Sequence, residues 1–199
     1  MTKLAFCDNL QWILTIKNRE EIKSLFSMKN EGEKMDAYQK IIEQLNATNI
    51  EYKIHSHAEI PTVAEAKEKV DFNIEQCFKT LAFKYEDKIL FISLLAEDKL
   101  KYSKLCTSLN IKRKNLKRVD GKELEDKYGY ESGGIAPISV SKDIAVIFDR
   151  KINDRDIIFC GSGRRDKTIE LKSEDIISLD RTVVIDIAEE IEQNLEQER

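Results

Sequence analysis

The spacing of apolar positions changes several times along the chain, and each change marks an element. In MDAYQKIIEQLNATNI, Met35, Tyr38, Ile41, Ile42 and Leu45 recur at helical steps, which predicts a helix broken at Asn46 to Asn49. IEYKIHSH then alternates as a strand does. Thr62 with Glu65 three residues on is a capping-box pattern, so a helix is expected with Val63, Ala66 and Val70 on its apolar side. A second short helix is expected over Ile74 to Cys77. FKTLAFKY and KILFISLL flank Glu86 and Asp87 and predict a hairpin.

EDKLKYSKLCTSLN reads as a helix with Leu100, Leu105 and Leu109 turned inward. Asp120 and Glu123 form another capping-box pattern, which starts a short helix in GKELEDKYG. GYESGGIAPIS is loop-like. DIAVIFD, DIIFCG and KTIELK read as strands, SEDIISL as a helix capped by Ser173, and VVIDIAEEIEQNLEQER as a frayed terminal helix. Helices mix with hairpin-like strands instead of alternating regularly. The expected class is therefore α+β, a mixed, curved sheet surrounded by helices. Residues 1–34, with the apolar stretch Leu10 to Ile16, read as an N-terminal appendage. Residues 35–180 read as the domain and 181–199 as an acidic C-terminal tail.

Composition narrows the class. The chain has 199 residues, 41% hydrophobic and 35% charged, which supports a core under a highly charged surface. No apolar run approaches the roughly 18 residues of a membrane span. The first residues lack a signal-peptide core, because Asp8, Asn9 and Gln11 interrupt them, so a cytoplasmic protein is expected. Cys7, Cys77, Cys106 and Cys160 form no CxxC pair and are expected as reduced thiols. His55 and His57 would share a strand face, but no third metal ligand accompanies them. Lys99, Lys101, Lys104, Lys112, Arg113, Lys114, Lys117 and Arg118 fall in a segment without acids, while the C-terminus is acidic. That segment is either an electrostatic footprint for phosphates or a solvated helix face and charged loop.

Few motifs carry chemistry. Gly161-Ser162-Gly163 follows a strand, but Asp166 stands where a dinucleotide-binding pattern needs glycine and a strand follows, so that reading fails. Cys77 is either a nucleophile or a buried thiol. Two features remain. Period-two alternation puts Lys79 on the face of Leu81 and Phe83, where it must reach water, an anion or a ligand. The loop Ser132-Gly133-Gly134-Ile135-Ala136-Pro137 permits close backbone approach and exposed N–H groups, with Pro137 stiffening its exit. Together they suit an anionic or carbonyl-bearing ligand. A snorkelling lysine and a tight structural turn account for the same residues.

PTVAEA (61–66), FKTLAFK (78–84), GGIAP (133–137) with a strand ending in FD (148–149), and CGSGRRDKTIELKSEDIISL (160–179) occur in an order that resembles the YbaK-like family. These aminoacyl-tRNA editing domains are also found in bacterial prolyl-tRNA synthetases. The resemblance implies a barrel-like curved sheet and deacylation of mischarged aminoacyl-tRNA, with Cys- or Ala-charged prolyl-tRNA the expected substrate. Lys79 would be the main functional residue, engaging phosphate at the acceptor end. Thr80, Gly133, Gly134, Ile135, Ala136, Pro137, Gly161, Ser162 and Gly163 would bind substrate. The family uses no metal or organic cofactor. Lys112, Arg113, Lys114, Lys117 and Arg118 become candidates for further tRNA contacts, and prolyl-tRNA synthetase a candidate partner. Ser139 departs from the glycine many relatives have near this position, which touches the loop's shape. A non-catalytic tRNA- or synthetase-binding module of the same fold is the alternative.

Overall fold

The structure, a computed structural model, describes residues 36–59, 70 and 72–189. The expected appendage, the capping-box helix with its PTVAEA motif, and residues 190–199 of the tail lie outside the described residues. Helix α1 (Ala37–Ala47) is capped reciprocally by Asp36 and Gln39, and buries Ala37, Ile41 and Leu45. Strand β1 (Tyr52–Ser56) follows. A 3-10 turn (Ile74–Gln76) replaces the second short helix expected there and leads into β2 (Cys77–Tyr85). β2 forms the expected hairpin with β3 (Lys88–Leu95) across the two-residue turn at Glu86 and Asp87.

Helix α2 (Tyr102–Leu109) is shorter than expected, because Leu100 forms an isolated bridge with Ala188 instead of joining it. The basic segment continues as a 3-10 turn (Arg113–Asn115) and strand β4 (Leu116–Arg118), which the hydrophobic pattern did not reveal. Helix α3 (Gly121–Tyr128) starts at Asp120, whose carboxylate accepts the Lys122 N–H at 2.8 Å. β5 (Ile144–Asp149), a 3-10 turn (Arg150–Asp154), β6 (Ile157–Gly161), β7 (Lys167–Lys172) and α4 (Ser173–Ile177) follow. Ser173 is the first residue of α4 and not its cap, and its hydroxyl donates to the Arg155 carbonyl. Residues expected in a terminal helix instead form β8 (Thr182–Ile185), so the sheet runs past residue 180 into part of the supposed tail. Parallel pairing with the wholly buried β5 gives this Val-rich stretch an extended partner.

The fold is α+β, with one mixed sheet ordered β1-β7-β6-β2-β3-β5-β8. β2 is where it forks: β3 pairs along its whole length on one edge. On the other edge β6 pairs in parallel at Cys77 and Phe78, and β4 pairs antiparallel at Phe83 to Tyr85. Both faces are covered, as the alternation of each strand requires. Phe78, Ala82, Phe91, Val146, Phe148, Ile158 and Ile169 pack on one face with α1 and α3. On the opposite face Phe83, Ile92, Leu94 and Ile147 pack with Leu105 and Leu109 of α2. No helix among the described residues is long and apolar enough to cross a membrane.

Candidate active site at the fork of the sheet

The face under α2 is apolar across β3, β5, β8 and β4 and along β2 from Leu81 to Tyr85. Towards β1 it turns polar, because each strand there places a polar or small residue on that side. Lys79 lies on the face of Leu81 and Phe83, as the alternation required. Its amine donates to the Ala96 carbonyl at 2.7 Å. Burial holds the Lys79 pKa below the ordinary lysine value, and the nearby Asp98 carboxylate opposes that shift. Asp98 is itself 6% exposed and pairs with the Lys151 amine at 2.7 Å. Lys79 is thus a half-buried cation resting on a carbonyl, beside a carboxylate already neutralised by another lysine.

Register brings the glycines to it. Phe78 pairs with Cys160, so Lys79 and Gly161 are the next residues on two neighbouring parallel strands, one step past the last rung of their ladder. They point to the same face. A side chain at Gly161 would enter the space of the loop: an ideal Cβ would stand 2.4 Å from the Ile135 carbonyl oxygen and 2.8 Å from that of Gly134. The loop therefore crosses the end of β6 on the Lys79 side. The Gly163 N–H donates to the Gly134 carbonyl at 2.7 Å, and the Glu131 N–H donates to that of Gly163 at 2.8 Å. Gly134 is needed because a Cβ there would meet Arg164 backbone at 2.2 Å. Gly133 has φ +91°, a left-handed conformation that glycine adopts without strain. Tyr130, fully buried, donates its hydroxyl to the Ile138 carbonyl and closes the far side of the loop.

Other expected site residues are packed into the surrounding structure. The side chain of Thr80 points to the opposite face from Lys79, by the alternation that defines that face. Its hydroxyl is buried with no hydrogen-bond partner among the described residues, directly across from that of Ser93. Ser162 is fully buried, and its hydroxyl donates to the Lys167 carbonyl at 2.9 Å, holding the turn. Gly163 packs beneath α1, where a Cβ would lie 3.0 Å from the Tyr38 nitrogen. Ala136, Pro137 and Ile138 are buried, while Ile135 is only partly so. The Ser139 hydroxyl lies 2.7 Å from the Ser141 carbonyl and 3.1 Å from that of Ile144, which ties the loop to the start of β5. Cys77 shares the Lys79 face, but burial pushes its thiol up to about 12, far from a thiolate at neutral pH.

The basic segment is elsewhere. Lys112, Arg113, Lys114, Lys117 and Arg118 are exposed, and Lys117 pairs with Lys84. Lys84 lies five residues along β2 from Lys79, about 17 Å at the strand rise. Arg113 stacks 4.0 Å from the Tyr102 ring centroid, and Arg118 lies 5.6 Å from that of Phe83. The structure separates this group from the lysine and the loop.

The floor beyond Gly161 was not singled out from sequence. Across β7 and β1 it carries Thr168, Glu170 and His55. His55 meets the Glu170 carboxylate at 2.6 Å, and its ring lies edge-on to Phe72 and Phe159. Lys53 contacts the other oxygen of Glu170 at 2.8 Å, and these partners hold the carboxyl below its ordinary pKa. Among the described residues no group of three or more His, Cys, Asp or Glu side chains is placed to hold a metal ion. His55 is engaged by Glu170, and His57 by Thr168 at 2.9 Å.

Known proteins resemble this chain in sequence and in fold. A profile of the aminoacyl-tRNA editing domain matches residues 57–179. The proline–tRNA ligase of Shouchella clausii (strain KSM-K16) is 30% identical over 104 residues, 52% of this chain and 18% of the ligase. The uncharacterized protein YwhH of Bacillus subtilis (strain 168) is 25% identical over 116 residues, 58% of this chain and 72% of YwhH. The chain thus spans under a fifth of the ligases it matches. Among solved structures, a proposed trans-editing enzyme for prolyl tRNA synthetase aligns with TM-score 0.66 at 16% identity, covering 79% of this chain and 100% of its own. The hypothetical protein APE2540 aligns with TM-score 0.66 at 20% identity, covering 75% and 99%. At such identities the structural likeness bears on the fold, and that fold is the mixed α+β sheet described above. The profile match covers more than half of the chain and takes in Lys79, the Gly133–Pro137 loop and Gly161: the chain belongs to the aminoacyl-tRNA editing domain family.

Proposed function

We propose that the protein is a hydrolase that deacylates mischarged aminoacyl-tRNA in trans, with Cys- or Ala-charged prolyl-tRNA as its substrate and the cytoplasm as its compartment. The observation that supports this most is the juxtaposition of Lys79 with Gly161 under the Gly134 and Ile135 carbonyls, in a chain of the editing family. An aminoacyl ester is already activated, so its hydrolysis needs positioning and charge stabilisation more than a strong nucleophile. The Lys79 ammonium, resting on one carbonyl, exchanges that partner for a phosphate at the acceptor end. The loop closes over the aminoacyl group, and water is the final acceptor of the acyl chain.

The test is a deacylation panel on Cys-, Ala- and Pro-charged prolyl-tRNA with wild-type protein and Lys79→Ala. Wild type is expected to release cysteine or alanine and to spare proline. Lys79→Ala is expected to lose about a hundredfold or more of the rate, the scale for removing one preorganised charge-stabilising donor, at an unchanged melting temperature. Failure to deacylate any mischarged tRNA, or full activity in Lys79→Ala, overturns the proposal. Salt-sensitive tRNA binding without turnover would instead mark a non-catalytic module.

A further inference from the structure

The fork in β2 leaves a break in its outer hydrogen-bonding edge, and the break lies beside Lys79. Main-chain groups of a strand alternate sides. The Cys77 carbonyl accepts the Ala96 N–H at 2.8 Å on the β3 side, whereas the Ala82 carbonyl accepts the Val119 N–H at 3.1 Å on the other. β2 pairs with β3 without a bulge from Phe78 to Tyr85, so the N–H and C=O of Thr80 point with those of Ala82, towards the outer edge. On that edge the ladder to β6 ends at Phe78 and Cys160, and the ladder to β4 begins at Phe83. The next rung of the parallel ladder would join the Thr80 N–H to the Gly161 carbonyl and pair Lys79 with Gly161. That rung is not made. Among the described residues, neither main-chain group of Thr80 has a backbone partner, nor have the Ala82 N–H further along this edge and the Gly161 carbonyl on this side.

Unpaired main-chain groups in a half-buried position are costly unless something satisfies them. Here the Thr80 N–H and the carbonyls of Thr80 and Gly161 form a set of one donor and two acceptors, with the Ala82 N–H as a second donor further along the break. The gap opens beside residue Lys79 on β2 and beneath the loop that crosses Gly161. We infer that this gap reads the α-aminoacyl group of the substrate. Its ammonium donates to the Thr80 and Gly161 carbonyls, and its ester carbonyl accepts from the Thr80 N–H, completing the missing rung. The reading rests on the proposed deacylase function and adds a specificity to it: the site recognises an α-amino acid through main-chain atoms, independently of the side chain. A donor on the ester carbonyl also stands where negative charge develops during hydrolysis.

The test uses the full chain and 3′-alanylamino-3′-deoxyadenosine 5′-phosphate, an amide-linked probe that is not hydrolysed, with the propanoyl analogue lacking only the amino group. In the free protein the Thr80 amide is expected to exchange with solvent at least about tenfold faster than those of its strand neighbours Leu81 and Phe83, which point to β3, and to be slowed about tenfold on saturation with the alanyl probe. The propanoyl probe is expected to bind about tenfold more weakly or worse, the scale of losing a charge-assisted hydrogen bond. Replacing the Thr80 amide by an ester, which removes this N–H and makes the Lys79 carbonyl a weaker acceptor in the ladder to β3, is expected to lower turnover about tenfold or more. Slow Thr80 exchange in the free protein overturns the inference, because the gap would then be closed. So does binding of the alanyl probe that perturbs Lys79 but leaves Thr80 exchange unchanged, or equal affinity for both probes; in these cases the deacylase reading stands. If neither probe binds and no mischarged tRNA is deacylated, the deacylase reading falls and carries this inference with it.

Discussion

Gly161→Ala is the substitution whose consequence follows most directly from the geometry. The added methyl would stand 2.4 Å from the Ile135 carbonyl oxygen and 2.8 Å from both the Gly134 oxygen and the Ile135 carbon. An ordinary contact needs about 3.4 Å, so the chain at Ile135 must retreat by about 1 Å or β6 must tilt. Retreat is blocked, because Gly134 already sits where a Cβ of its own would meet the Arg164 carbonyl oxygen at 2.3 Å. The Gly163 N–H also holds the Gly134 carbonyl at 2.7 Å. Both contacts are with backbone, which cannot rotate away as a side-chain tip can. Overpacking of this kind costs about 1–3 kcal/mol. At about 2–4 °C per kcal/mol for a chain of this size, the melting temperature should fall by roughly 2–12 °C. Displacing the loop by close to an ångström should cost about a hundredfold in turnover. Gly133→Ala is the control: nothing lies within 4 Å of its Cβ, and only the φ of +91° is strained. It should lose about 1 kcal/mol of stability with a much smaller effect on rate. Thermal melts and single-turnover deacylation of mischarged tRNA read both quantities. Wild-type stability and rate in Gly161→Ala would refute the packing of the loop on β6. A lower melting temperature with wild-type rate would remove the loop from the active site.

Two further outcomes test the electrostatics. Burial lowers the Lys79 pKa, so binding of the phosphate-bearing probe that depends on its ammonium should be constant at neutral pH and weaken as pH rises through a value below the ordinary 10.5. Asp98→Asn removes the attraction that opposes this shift and should move the alkaline limb to lower pH; a limb that stays put, or moves up, separates Asp98 from the charge state of Lys79. For the basic segment, Lys117→Ala with Arg118→Ala should reduce the salt slope of tRNA binding at most, by about one unit for each phosphate no longer neutralised, and leave the rate at saturating tRNA unchanged. A fall in that rate would place the chemistry at the wrong end of β2.

The legible and illegible parts of this site divide along a physical line. Alternation alone set Lys79 on the face of Leu81 and Phe83, because period two is a local property of any strand. The same rule places the Thr80 side chain on the other face, so the family motif that joins the two residues in sequence separates their side chains in space. β4 went unseen because Leu116-Lys117-Arg118 has one apolar residue, too short a pattern to register. β8 was read as helix because its extended form is imposed by parallel pairing with β5, a contact between residues far apart in the chain. Nor could local pattern bring Gly161 beside Lys79, since that rests on the parallel pairing of Phe78 with Cys160. The floor of Thr168, Glu170 and His55 left one faint signal, the alternation of KTIELK with polar residues on one side, which says that a face is polar without saying what it adjoins. Around Lys79 the working groups are largely main-chain: the Ala96 carbonyl that holds the amine, the Gly134 and Ile135 carbonyls over β6, and the Thr80 N–H and C=O in the break. Every residue carries those atoms, so residue identity reports them only indirectly, through where side chains must be missing. Gly134 and Gly161 are such positions, and their recurrence in a motif is the trace that a backbone site leaves in sequence.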